Sequence, residues 1–117
     1  MTNNKILIVD DNEQITDLLK EILEIKNYEV FVAATKSEAV EIYRDNDIET
    51  VITDLKLAEN ASGLDVIKEM KQIKNAIFIV SSGYASAGDS QSMTEMGIKG
   101  FLPKPFVFND LFKLLES

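Results

Sequence analysis

The sequence predicts an α/β fold: a doubly wound, five-stranded parallel sheet with helices on both faces. Three observations lead there. Short apolar runs rich in β-branched residues recur along the chain, helical patterns alternate with them, and three of the runs show no polar alternation. A strand that is apolar without interruption is buried on both faces, as in a parallel sheet covered by helices. Five repeats of strand then helix, joined by right-handed crossovers, close into such a sheet.

The elements follow in order. Ile6 to Val9 form the first strand, inside the stretch ILIVDDNE. Ile15, Leu18, Leu19, Ile22 and Leu23 then recur at helical spacing. Val30 to Ala33 is a weaker strand, and Thr35-Lys36-Ser37-Glu38 is a capping-box sequence that opens the second helix. Val51 to Thr53 is the third strand. Ser62-Gly63-Leu64-Asp65 is a weaker version of the box, ahead of Leu64, Ile67 and Met70 at a three-residue step. Ile77 to Val80 is the fourth strand. The helical segment from Ala87 to Met96 is rich in small residues of poor helix propensity and is closed by Gly97. Ile98 to Leu102 is a weaker fifth strand, and Leu111, Leu114 and Leu115 mark a last helix over 108–117. No repeat, linker or second domain interrupts the pattern, so residues 1–117 read as one domain.

Composition bounds the chemistry. A chain of 117 residues supports a single core. With 45% hydrophobic and 27% charged residues it reads as an ordinary globular protein rather than a disordered one. No apolar run approaches the roughly 18 residues of a membrane span, and MTNNK lacks the order of a signal peptide, so the expected location is the cytoplasm, away from the membrane. The absence of cysteine excludes disulfides, thiolate catalysis and Cys-based zinc sites, and the absence of histidine excludes imidazole as base, ligand or phosphate carrier. A net charge of −8 argues against direct nucleic-acid binding, which draws on clustered Lys and Arg.

Open parallel sheets bind ligands at the carboxyl ends of their strands. The residues that follow each run are Asp10 and Asp11, then Asp54, then Ser81, Ser82 and Gly83, then Pro103, Lys104 and Pro105. Taken singly, the acids read as helix caps or turn residues, Ser82 as a capping hydroxyl and Lys104 as a solvated charge. Independent caps, however, have no reason to collect three acids, a hydroxyl and a lysine on one sheet edge. Adjacent carboxylates at the mouth of a core strand repel each other and lose solvation, so they call for a cation. An oxygen-rich site of this kind suits Mg²⁺. The set could run phosphoryl transfer, with Asp54 as nucleophile and Lys104 and Ser82 holding the other phosphoryl oxygens.

Through ILIVDDNE, VITDLKL, IVSSGYA and KGFLPKPF, in order, the whole chain resembles a receiver domain of the two-component response regulators. The resemblance implies a flavodoxin-like sheet of order 2-1-3-4-5 and an aspartate, here Asp54, that accepts a phosphoryl group from a phosphohistidine on a sensor histidine kinase or phosphotransfer protein. It implies Mg²⁺ held directly by Asp11, Asp54 and the backbone carbonyl of Lys56, with Asp10 acting mainly through a metal-bound water. It implies that Ser82 turns inward to the phosphoryl group, that Lys104 pairs with its oxygens before a cis bond to Pro105, and that Phe101 moves inward as the aromatic switch. Lys56 and Tyr84 would flank the path of the hydrolytic water and tune how long the signal lasts. Such a domain assists its own phosphotransfer and slow dephosphorylation without being a classical enzyme. Its output would run through the face of the fourth helix, fifth strand and fifth helix, with a phosphorylation-dependent homodimer among its partners.

The chain departs from the family at Leu57-Ala58, where Met-Pro or Leu-Pro is common, and in a loop to Gly63 about one residue longer than usual. Its last helix is short for the family; the natural chain either continues into a linker and output domain or stands alone. A hydrolase of the haloacid-dehalogenase type is a rival, but Asn12 stands where that pattern wants aspartate. An inactive receiver-like module would have lost the acidic pair or the lysine. A flavin carrier would have a hydroxyl-rich phosphate loop where the acids stand.

Overall fold

Alternate side chains of a strand leave it on opposite faces, and in β1, Lys5–Val9, Ile6, Leu7, Ile8 and Val9 are all buried. Ile6 and Ile8 join one core layer, Leu7 and Val9 another. The same division holds in β3, Thr50–Asp54, and β4, Ile77–Ser82: Ile52 and Ile79 face the first layer, Val51, Phe78 and Val80 the second. This is why these three runs carry no polar alternation. The computed structural model describes residues 4–57, 61–83, 87–104 and 107–116.

The remaining strands are β2, Glu29–Ala33, and β5, Gly100–Pro103, and the sheet is parallel in the order β2-β1-β3-β4-β5. The two weaker runs of the sequence are therefore the edge strands, which need less apolar length. β5 begins two residues after the expected Ile98, because the Ile98 N–H bonds the Met93 carbonyl and closes the preceding helix.

Helix α1, Glu13–Ile25, packs Leu19 and Leu23 on the first layer beside Leu111 of α5, Phe108–Glu116. Helices α2, Lys36–Asp45, and α3, Gly63–Ile73, cover the second layer with Ala39, Tyr43, Val66, Ile67 and Met70. Fully burying a Leu, Val, Ile or Met side chain among these contributes about 1.5–3 kcal/mol. Helix α4, Ala87–Glu95, lacks an apolar stripe, and among its described side chains Met93 is the buried one. α4 is thus the most weakly anchored helix.

The caps depart in detail from the sequence reading. Thr35 Oγ1 accepts the Glu38 N–H as a capping box requires, but the Glu38 carboxylate takes the Ala34 N–H, one residue earlier than expected. Ser62 Oγ accepts from Leu64 N–H, so the second box forms only by its serine. α1 is capped not by Asp10 or Asp11 but by Asn12, whose Oδ1 accepts from Gln14 and Ile15. Gly97, at φ +70°, closes α4 in the left-handed region that glycine enters at no steric cost.

At the amino edge of the sheet the Tyr43 hydroxyl donates to the Lys74 carbonyl at 2.7 Å, while the Lys74 ammonium reaches the Asn46 carbonyl at 2.6 Å. Burial pushes the Tyr43 phenol up to about 12. A raised tyrosine keeps its proton in the fold after the unfolded chain has lost it. Its stabilising effect is therefore fully present below about 10 and lost as pH rises through about 12. Urea midpoints across that window should fall more steeply for the parent than for Tyr43→Phe; equal slopes would place the alkaline loss elsewhere.

Candidate functional site

The strand order reverses direction between β1 and β3, and there the carboxyl edge opens a crevice. Val9 is paired with Thr53, so Asp10 and Asp54 leave their strands level with each other. Asp54 is paired with Ser81, and Ser82 with Pro103, which brings Lys104 to the same edge. The Lys104 N–H donates to the Ser82 carbonyl at 2.9 Å and fixes where the lysine departs.

The acids differ in their surroundings. Asp10 is 4% exposed, and both its oxygens are engaged: Oδ1 accepts the Asn12 N–H at 2.9 Å and Oδ2 the Lys104 ammonium at 2.8 Å. Asp54 is held more loosely, at 3.2 Å from the Lys104 ammonium and 3.4 Å from the Lys56 N–H. Asp11 is exposed at the rim. Of the two acids that Lys104 reaches, the half-buried Asp54 is thus the carboxylate better able to turn.

One ammonium is shared by two of the three clustered carboxylates. Burial raises the Asp54 carboxyl above its ordinary range, with the neighbouring Asp10 adding to the effect and Lys104 opposing it. Burial pulls the Lys104 ammonium down, but its bonds to Asp10 and Asp54 outweigh that and raise it. Lys104 stays charged, and the site remains short of positive charge.

The residues fit a hard divalent cation. One oxygen from each of Asp10, Asp11 and Asp54 lies within 4.8 Å of the others. Three carboxylate oxygens grouped on this scale match the hard, oxygen-rich shell that such an ion takes, completed by water.

The structure brings Asp10, Asp11, Asp54 and Lys104 together. Ser82 is buried at the next register position, and Phe101, paired with Val80, is half-buried against the second core layer. Lys56 is exposed beside Asp54 and bridges to Ser62. Tyr84, Ala58 and Pro105 lie outside the described residues. Asn12 and Thr53 were not legible as site residues. Asn12 anchors Asp10 through a backbone N–H, and buried Thr53 donates its hydroxyl to the Asp54 carbonyl at 3.0 Å. An Asn just ahead of a helical pattern was the available signal for the first; nothing marks the second.

A doubly wound parallel sheet with three clustered acids and a lysine at its switch point forms a site that could bind a cation. Comparison with known proteins makes it specific. Residues 6–116 match the model of the response regulator receiver domain, and the chain belongs to that family. It is 34% identical over 114 residues to the transcriptional regulatory protein CpxR of Escherichia coli (strain K12), covering 97% of this chain and 48% of the relative, so it spans about half that protein's length. It is 32% identical to the sporulation initiation phosphotransferase F of Bacillus subtilis (strain 168), over 95% of this chain and 90% of the relative. Among solved structures it resembles a response regulator from Burkholderia pseudomallei with a phosphorylated aspartic acid, calcium ion and citrate, at TM-score 0.89 and 29% identity, over 98% of this chain and 68% of that one. The chain is a receiver domain of the kind found in two-component response regulators, and its expected sheet order is the one observed. No helix among the described residues is long and apolar enough to cross a membrane.

The charge imbalance has a direct consequence for stability. At neutral pH an ionised Asp54 is a burden on the metal-free fold, since its raised carboxyl stabilises only while protonated. Asp54→Asn should therefore melt higher than the parent in chelator. Lys104→Met leaves Asp10 buried and unpaired and should cost about 3 kcal/mol. Chemical denaturation in chelator reads both; a Lys104→Met protein as stable as the parent would contradict the pairing.

Proposed function

We propose that residues 1–117 act as one phosphoacceptor domain, taking a phosphoryl group from a sensor histidine kinase or phosphotransfer protein onto Asp54. The observation that carries this reading is the Lys104 ammonium shared between Asp10 and Asp54. An Asp54 oxygen attacks phosphorus, the bond from phosphorus to the donor's imidazole nitrogen breaks, and the electron pair leaves with that nitrogen. Lys104 then moves from Asp54 to the phosphoryl oxygens, and the Ser82 hydroxyl donates to another. Mg²⁺, held by Asp11, Asp54 and the Lys56 carbonyl with Asp10 behind a water, would neutralise charge developing on the phosphoryl group. The Burkholderia relative, with its phosphorylated aspartate and bound divalent ion, supports the same assignment here. On α1, the outward Leu18 and Ile25, 48% and 72% exposed, offer apolar surface to the donor protein.

The output follows from the weak anchoring of α4. Inward movement of Ser82 and then of Phe101 would bias the packing of α4, β5 and α5, the face offered to partners or to a second copy. The domain works in the cytoplasm and does not itself bind nucleic acid.

Intact mass after incubation with acetyl phosphate and Mg²⁺ should show one added phosphoryl group on the parent and none on Asp54→Asn. Equal gain by the variant would reassign the nucleophile.

Lys56 sits in solvent beside Asp54 and can lie over the acyl phosphate, hindering the in-line water that hydrolysis requires. Tyr84, outside the described residues, is its proposed partner in this. Lys56→Asn and Tyr84→Ala should each quicken loss of phosphate, by several-fold, without slowing its uptake. Unchanged decay in the double variant would remove the shielding role.

A further inference from the structure

The segment that carries Asp54 is clamped from behind. Leu55 N–H donates to the Ser81 carbonyl at 2.9 Å, Gly63 N–H to the Leu55 carbonyl at 2.8 Å, and Leu57 N–H to the Ala61 carbonyl at 2.8 Å. The exit of β3 is thus tied to β4 on one side and to the start of α3 on the other. Gly63 is buried in this closure. A Cβ on it would lie 2.1 Å from the Asp54 carbonyl oxygen, 3.0 Å from its carbon and 3.1 Å from Thr53 Oγ1. Both backbone atoms belong to Asp54 and cannot swing aside like the end of a side chain. The two segments would have to part by about 1.3 Å or more to reach ordinary contact. The Thr53 hydroxyl closes the same cradle by donating to that carbonyl oxygen.

We propose that Gly63, assisted by Thr53, is a positioning residue for Asp54: the missing side chain lets α3 seat directly against the Asp54 carbonyl and so sets where the carboxylate meets the phosphoryl donor. The proposal rests on the phosphoacceptor reading above. Lys56 lies on the same clamped segment, between the Leu55–Gly63 and Leu57–Ala61 bonds, so its carbonyl, the proposed backbone ligand, is set by the same contact.

The test uses the full chain as Gly63→Ala and Thr53→Val, with Gly97→Ala as a control that loses stability at the opposite edge of the sheet through its φ of +70°. Each protein is measured for phosphoryl gain from acetyl phosphate across donor concentrations in saturating Mg²⁺, and for Mg²⁺ affinity by calorimetry. A misplacement of about 1 Å can cost as much as a hundredfold in rate. Gly63→Ala should lose at least about tenfold in maximal rate and bind Mg²⁺ more weakly, while Gly97→Ala keeps the parental values at comparable loss of melting temperature. Thr53→Val, which keeps the shape and removes the hydroxyl, should lose rate by a smaller factor, and it carries the test if Gly63→Ala does not fold. Parental rate and Mg²⁺ affinity in the folded variants would overturn the proposal. Should the parent itself gain no phosphate, the phosphoacceptor reading fails, and the Mg²⁺ affinities of the same proteins still decide whether Gly63 positions the acids.

Discussion

One lysine ammonium shared between two aspartates organises this molecule's functional edge. Lys104 reaches Asp10 at 2.8 Å and Asp54 at 3.2 Å, joining the ends of β5, β1 and β3 across the crevice. Removing the ammonium from this partly buried set leaves Asp10 with an uncompensated charge, which costs far more than the pair contributes net. The set is also incomplete: Asp11 adds a third carboxylate that Lys104 does not reach within ion-pair distance. The fold therefore tolerates a shortage of positive charge at its switch point that a divalent cation would relieve.

Holding like charges this close needs a stiff support, and the sheet supplies it. β1, β3 and β4 are buried on both faces and fully paired in register, so their ends cannot drift apart without breaking core packing. Backbone contacts refine the placement: Asn12 N–H on Asp10, the Thr53 hydroxyl on the Asp54 carbonyl, and Gly63 against it. α4 stands in contrast, with little apolar anchorage. A rigid site beside a loosely held helix is the arrangement a switch requires, because a small change at the site can bias the packing of the weaker element.

How far this was legible in the sequence follows from which signals are carried by side-chain type. Ile6 to Val9, Val51 to Thr53 and Ile77 to Val80 announced themselves because burial on both faces leaves no polar position. Ile98 misled, since an apolar β-branched residue next to a strand can instead close a helix, as its bond to Met93 shows. Asp10, Asp11, Asp54 and Lys104 were readable as unlike residues at successive strand ends. Thr53 and Gly63 were not, because their roles depend on a backbone carbonyl brought near by tertiary packing, and neither periodicity nor propensity encodes that approach. Asn12 was overlooked beside two acids that looked equally suited to cap α1.

Lys104 alone leaves the three acids short of positive charge, and a divalent cation would complete the set. Thermal melts with and without Mg²⁺, on the parent and on Asp11→Ala, test it most directly. At about a hundred times its dissociation constant a ligand that ignores the unfolded chain adds roughly 2.7 kcal/mol. The account predicts a rise in melting temperature of that origin in the parent, lost in Asp11→Ala; an unshifted parent, or an equal shift in both proteins, would contradict it.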